Sequence, residues 1–164
     1  MASRLATGRA VEPHLTRAIG GVAGPGGRAE DWPSLGLPER LLSQVREGMW
    51  AVVNEVNGTA PIAKLDIPGV QMAGKTGSVQ VRNVTREQRE KGYKSDNLAW
   101  ELRPHALFVA FAPYDAPRYA LALVVEHGNA GAAAAAPIAR DIMTDVLTRD
   151  PARRTEPARV VSRS

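Results

Sequence analysis

The stretch IPGVQMAGKTGSVQV, residues 67–81, decides the fold, because it fits two signatures that demand opposite backbones. Gly69 to Thr76 fits G-x-x-x-x-G-K-[ST], a loop whose backbone amides cradle phosphate. Lys75-Thr76-Gly77 is also a K-T-G triplet, which sets a cation and a hydroxyl beside a groove when it lies on a strand. The phosphate loop needs a helix opening at the lysine, so that free N–H groups and the positive helix end face the anion. Gly77 follows Thr76 directly, polar and apolar residues alternate over Ser78–Val81, and no helical apolar period appears before Thr85. Upstream, IAKLDIP is interrupted by Lys64, Asp66 and Pro68 and makes a poor buried parallel strand. The local pattern therefore predicts a half-buried strand after Lys75.

Outward from that strand, LPERLLSQVREGMWAVVNEVNG (residues 37–58) is the clearest helix. Pro38 suits its first turn, Glu39 follows, and Asn57-Gly58 is expected to close it. Leu41, Leu42, Val45, Met49, Val52, Val53 and Val56 recur at spacings of three and four and form one apolar stripe. Residues 1–7 read as the last turns of a helix stopped by Gly8, and Val11–Ile19 as extended chain entering the turn-rich segment 20–27. A charged segment after the K-T-G strand is partly helical near Arg86–Lys91. HALFVAFAP and RYALALVVEHG are two strands joined by the short loop YDA between Pro113 and Pro117. AAAAAPIARDIMTDVLTRD is a C-terminal helix with Ile138, Ile142, Val146, Met143 and Leu147 expected to face inward and Pro137 confined to its first turn. The fold class is α+β, with three antiparallel strands and flanking helices.

A chain of 164 residues with 44% hydrophobic residues suits one domain or a piece of a larger one. Zero cysteines exclude disulfides, a thiolate nucleophile and thiolate metal sites. His14, His105 and His127 have no metal-ligand spacing and read as structural or surface residues, so no metal or cofactor is expected. The formal charge is +4, but residues 149–164 contribute +3 of it through five arginines against Asp150 and Glu156. The body is thus near neutral, and the end of the chain reads as a basic disordered tail. Only 5% aromatics leave little for base stacking, and no nucleic-acid partner is expected. No run is long and apolar enough to span a bilayer, and the first residues lack the apolar core of an export signal.

A bare K-T-G triplet is common by chance; its context is more specific. AGKTGSVQV, TREQREKGYKSDNLAWELRPHALFVAFAP, the hairpin, and VVEHGNAGAAAAAPIARDIM follow one another in an order that resembles the elongation-type, class B penicillin-binding D,D-transpeptidases, the penicillin-binding protein 2 family. The helix before the K-T-G strand is similar too, so the likeness covers residues 1–148 and leaves out the tail. The resemblance implies a partial penicillin-binding transpeptidase (serine β-lactamase-like) fold and the C-terminal portion of that domain. It implies that Lys75 supports the site's electrostatics and proton traffic, and that Thr76 binds the terminal carboxylate of a stem peptide or β-lactam. Gly77 would give close approach, and the Ser78 backbone N–H would be half of an oxyanion hole.

Two motifs of that family, S-x-x-K and S-x-N, precede K-T-G in chain order. Here Ser3, Ser34, Ser43, Ser78 and Ser95 are followed three residues on by Ala6, Leu37, Arg46, Val81 and Leu98, so no S-x-x-K is present. Ser95-Asp96-Asn97 matches the second motif but lies after K-T-G, and reads as a coincidental turn segment. The expectation is a chain without its nucleophile, inactive alone, with an open sheet edge and an uncovered helix face that promote association. The resemblance further implies a periplasmic catalytic domain anchored at the inner membrane, stem peptides and β-lactams as ligands, and elongation-machinery membrane proteins as partners. Two other readings stay open at the level of sequence: a nucleotide-binding protein using Gly69–Thr76, and a non-catalytic module that holds a peptide along the K-T-G strand.

Overall fold

The computed structural model of the chain describes residues 1–15, 18–20, 22–23, 31–90 and 95–151. Its elements, in chain order, begin with helix α1 (Ala2–Thr7), the short strands β1 (Ala18–Ile19) and β2 (Val22–Ala23), and helix α2 (Glu39–Asn54). Strand β3 (Ala73–Val79) and the short helix α3 (Arg86–Glu90) follow. Strands β4 (His105–Ala112) and β5 (Tyr119–Val125) come next, then a π-helical turn (Gly131–Ala135) that runs into helix α4 (Ala136–Arg149). The sheet order is β3-β4-β5, antiparallel throughout, with Lys75 opposite Val109 and Phe108 opposite Leu123.

The central strand carries the core because its two faces are both covered. Ala106, Phe108, Ala110 and Ala112 pack with Ala136, Ala139 and Met143 of α4 on one face. Phe111 packs with Ala6, Met49 and Ala73 on the other, under α1 and α2. Phe108 and Phe111 are fully buried, which is worth about 1.5–3 kcal/mol for each ring. The near-continuous apolar run of β4 is what a doubly covered strand requires.

α1 ends where expected: Gly8 adopts φ 67° and its N–H caps the Arg4 carbonyl. α3 also falls within its expected segment. Of the extended chain expected over Val11–Ile19, only Ala18–Ile19 pairs, with Val22–Ala23, and residues 16–17 lie outside the described set. Most of the turn-rich segment 20–27 and all of the tail beyond residue 151 also lie outside it.

Several sequence expectations need correction. α2 ends at Asn54, not at Gly58, and Pro38 is its N-cap residue rather than part of its first turn. Gly58 instead folds back against the helix end, where a Cβ would meet the Val52 carbonyl oxygen at 2.4 Å. Leu42, Met49 and Val53 of the apolar stripe are buried, but Leu41, Val45 and Val56 are exposed. β3 starts at Ala73, five residues before the alternating segment, and stops at Val79. Pairing along the central strand outweighs the weak strand preference of Ala73-Gly74-Lys75. In α4 the inward side is Ala136, Ala139, Met143 and Leu147, while Ile138 and Ile142 are exposed. The sheet presents small residues there, so the helix sits close and turns its alanines, not its isoleucines, toward Ala106 and Ala110.

Candidate active site

Lys75, Thr76, Gly77 and Ser78 lie consecutively on β3, an end strand of the sheet. Among the described residues no strand pairs with its second edge, so backbone donors and acceptors there are available to an extended ligand. Alternate residues of an antiparallel strand turn N–H and C=O toward the same edge, so Thr76 and Ser78 share one. Lys75 is exposed, and its Nζ donates to the Thr76 carbonyl at 2.9 Å. The lysine stands beside an apolar groove of about 360 Å³ lined by Met1, Leu5, Val45, Met49, Val52 and Val109. A cation at the rim of an apolar groove suits a ligand that ends in a carboxylate.

The strand is held at its start and at its middle. At its start, the Asn54 side-chain amide donates to the Trp50 carbonyl at 2.8 Å and to the Met72 carbonyl at 2.9 Å, tying β3 to the last turn of α2. Trp50 Nε1 donates to Gln71 Oε1 at 2.9 Å, and the Tyr114 N–H donates to the Gln71 carbonyl at 2.8 Å. At its middle, Gly131 of the π turn lies directly against the Gly77 backbone. Gly74 gives its place to the Phe108 ring, which a Cβ would meet at 2.5 Å. Asn54, Gln71 and Gly131 carry no spacing signature; only Gly131, the small residue ahead of an alanine run, gives a sequence hint of close approach.

The phosphate-loop reading fails on this geometry. Lys75 and Thr76 lie within a strand and Gly69 sits in a turn at φ 74°, so no helix opens at the lysine. Ser95–Asn97 forms a 3-10 turn closed by the Leu98 N–H on the Ser95 carbonyl, in the connection between α3 and β4. His14 is exposed, whereas His105 and His127 meet, their ring centroids 4.8 Å apart. Among the described residues no group of three metal-ligating side chains gathers, and no helix is long and apolar enough to cross a membrane.

Comparison with known proteins shows the family. Residues 1–144 match the family described as the penicillin binding protein transpeptidase domain. The chain belongs to that transpeptidase family. Peptidoglycan D,D-transpeptidase MrdA of Haemophilus influenzae is 35% identical over 144 residues, covering 87% of this chain and 22% of that protein. Among solved structures, Pseudomonas aeruginosa PBP2 in complex with WCK 5153 superposes with a TM-score of 0.67 at 30% identity, over 96% of this chain and 31% of that one. PBP2 of Helicobacter pylori, solved in complex with MreC, superposes with a TM-score of 0.63 at 25% identity, over 90% and 23%. The penicillin-binding transpeptidase fold is thus shared, and the chain spans about a fifth of the length of the curated relatives it matches.

Proposed function

We propose that this chain is the K-T-G-bearing portion of a peptidoglycan D,D-transpeptidase that cross-links stem peptides and is acylated by penicillin. The observation that carries the reading is the K-T-G triplet on an end strand, with Lys75 exposed beside an apolar groove. A serine from an S-x-x-K motif, supplied outside these 164 residues, attacks the carbonyl of the D-Ala-D-Ala bond. Its proton passes to the lysine of that motif and on to the leaving D-Ala amine as the C–N bond breaks. The acyl group then passes from the serine to the amine of a second stem peptide as the C–O bond breaks, and a proton from that amine restores the serine hydroxyl.

The residues of this chain bind and polarise. The Thr76 hydroxyl donates to the substrate's terminal carboxylate, and the Lys75 ammonium supplies a cation near both that carboxylate and the nucleophile. The Ser78 N–H donates to the carbonyl oxygen as it gains negative charge. Gly77 leaves the strand face bare for the substrate backbone. The full-length protein works at the periplasmic face of the inner membrane with elongation-machinery membrane proteins as partners; for the protein partner alone, the Helicobacter pylori PBP2 solved in complex with MreC lends support. By itself the chain carries no S-x-x-K motif and does not turn over.

Fluorescent penicillin tests this. The isolated chain forms no covalent adduct, whereas a chimera in which residues 1–144 replace the matching part of the Haemophilus influenzae relative is labelled. An adduct on the isolated chain would refute the missing nucleophile; an unlabelled, folded chimera would refute the transpeptidase role.

A further inference from the structure

Behind the K-T-G strand, two histidines 22 positions apart join the ends of the β4–β5 hairpin. The His127 N–H donates to His105 Nδ1 at 2.9 Å, and His127 Nδ1 lies 3.0 Å from the Arg103 carbonyl oxygen. Those partners fix the protons. His105 must carry its hydrogen on Nε2 to accept at Nδ1, and His127 must carry one on Nδ1 to donate to a carbonyl. The Trp100 ring packs on His127 at a centroid distance of 4.4 Å.

The loop thus held is under backbone strain. His127 has φ 54° and Asn129 φ 69°, a region that non-glycine residues enter at a cost. A second clasp, the Asn129 N–H on the Pro104 carbonyl at 2.8 Å, joins the same two segments. Two residues later comes Gly131, against the backbone of Gly77, and His105 itself is the β4 partner of Val79. The loop that positions Gly131 is therefore held by an imidazole acceptor at its first residue and by a backbone bond at Asn129.

We propose that His105 and His127 form a proton-sensitive latch, and that His105 is a positioning residue for the K-T-G strand. A proton on His105 Nδ1 turns the acceptor into a donor that faces the His127 N–H. The strained loop then loses its partner and relaxes, and Gly131 withdraws its support from Gly77. The latch is closed when Nδ1 is unprotonated and opens on acidification. Among the described residues, the charged side chains on the surrounding elements are Arg82 after β3, Glu101 and Arg103 before β4, and Glu126 after β5, with Lys75 on the same sheet face; the π turn contributes none. What that loss of support does to substrate binding rests on the proposed transpeptidase function, whereas the latch does not.

Hydrogen exchange of the 164-residue chain, read over residues 126–131 and corrected for the intrinsic pH dependence of exchange, tests the latch without substrate. Protection of this segment should fall by at least about fivefold between about pH 7.5 and 5.5 in the wild-type chain. His105→Asn offers a carbonyl oxygen near the place of Nδ1 and takes up no proton, so its protection should stay high and flat. His105→Leu should be unprotected at both pH values while β4 remains protected. The same pH response in His105→Asn as in wild type, or none in wild type, overturns the latch. If His105→Leu does not fold, that pair of measurements decides alone. Loss of penicillin labelling in the chimera with an intact exchange pattern would strike only the functional reading.

Discussion

Gly131 and Gly77 touch through their backbones: a Cβ on Gly131 would stand 2.6 Å from the Gly77 carbonyl oxygen and 3.0 Å from its nitrogen. It would also meet the Leu107 carbonyl oxygen at 2.5 Å. All three are ladder atoms of β3 and β4, which cannot swing aside as a side-chain tip can. The π turn and α4 are thereby seated on the strand that carries Lys75 and Thr76.

Gly131→Ala forces the helix and the sheet apart. Its expected cost is about 1–3 kcal/mol in urea unfolding, the usual range for overpacking. Gly48→Ala is the control, because Gly48 lies mid-helix in α2, where an added Cβ would meet nothing within 4 Å and the backbone is not left-handed. There alanine should stabilise by about 0.5–1 kcal/mol. An unchanged midpoint for Gly131→Ala would show that the contact is not a real constraint.

Gly74 and Gly77 should respond differently to the same substitution. A Cβ on Gly74 would enter the ring of fully buried Phe108 at 2.5 Å, whereas one on Gly77 would press the Leu107 Cβ at 3.3 Å, a shortfall of a few tenths of an ångström. Gly74→Ala should therefore lower the unfolding midpoint more than Gly77→Ala does. Equal losses would mean that Phe108 can move off the strand.

Much of this was legible in the sequence, for reasons tied to particular residues. β4 and β5 are unbroken apolar runs between Pro104, Pro113 and Pro117, and little else fits such a pattern. The azimuth of α4 was not legible, because Ile138 and Ile142 give a more apolar stripe than Ala136 and Ala139, and only the approach at Gly131 shows which side faces the sheet. The start of β3 was hidden because Ala73-Gly74-Lys75 has little strand preference until Phe111, Ala110 and Val109 pair with it. K-T-G was readable as a pattern. Its supports were not: Asn54 bonds to a carbonyl 18 positions away, and His105 meets His127 only through hairpin register.

The C-terminal helix is also pinned at its far end. Arg118 forms a two-pronged ion pair with Asp150, the left-handed residue that caps α4, and the Tyr119 hydroxyl donates to the same carboxylate at 2.7 Å. The hydrogen bond to Asp150 holds the Arg118 pKa above its ordinary value, so the guanidinium stays charged throughout the neutral and alkaline range. A raised cation pKa contributes stability at every pH below its unfolded value and loses it only far above neutrality. Asp150→Asn keeps the left-handed cap but removes the charge. It should lower the melting temperature by an amount that is the same at about pH 7 and at about pH 9. A loss that vanishes at alkaline pH would assign the effect to another group.

The half-exposed stripe of α2 has its own consequence. Leu41 and Val45 are 43% and 45% exposed, and Val45 lines the groove beside Lys75. The isolated chain should associate, and Val45→Lys should lower its mean mass by light scattering while leaving the unfolding midpoint within about 0.5 kcal/mol of wild type. A sharp cooperative melt of a wild-type monomer would remove the premise.

Lys75 and Thr76 give the most direct test of chemistry, because neither is needed for packing. Lys75 is exposed with its ammonium on a neighbouring carbonyl, and Thr76 is half-buried. In the chimera, Lys75→Met should slow penicillin acylation on the order of 100-fold or more, through lost electrostatic and proton-handling support. Thr76→Val keeps the side-chain shape and removes only the hydroxyl, so binding of a carboxylate-bearing β-lactam should weaken by about ten- to a hundredfold. Both variants should melt like the parent chimera. The decisive comparison uses a β-lactam whose carboxylate is esterified. If Thr76 holds that carboxylate, Thr76→Val should make little difference to the ester, and an equal loss on acid and ester would place the hydroxyl elsewhere in the site.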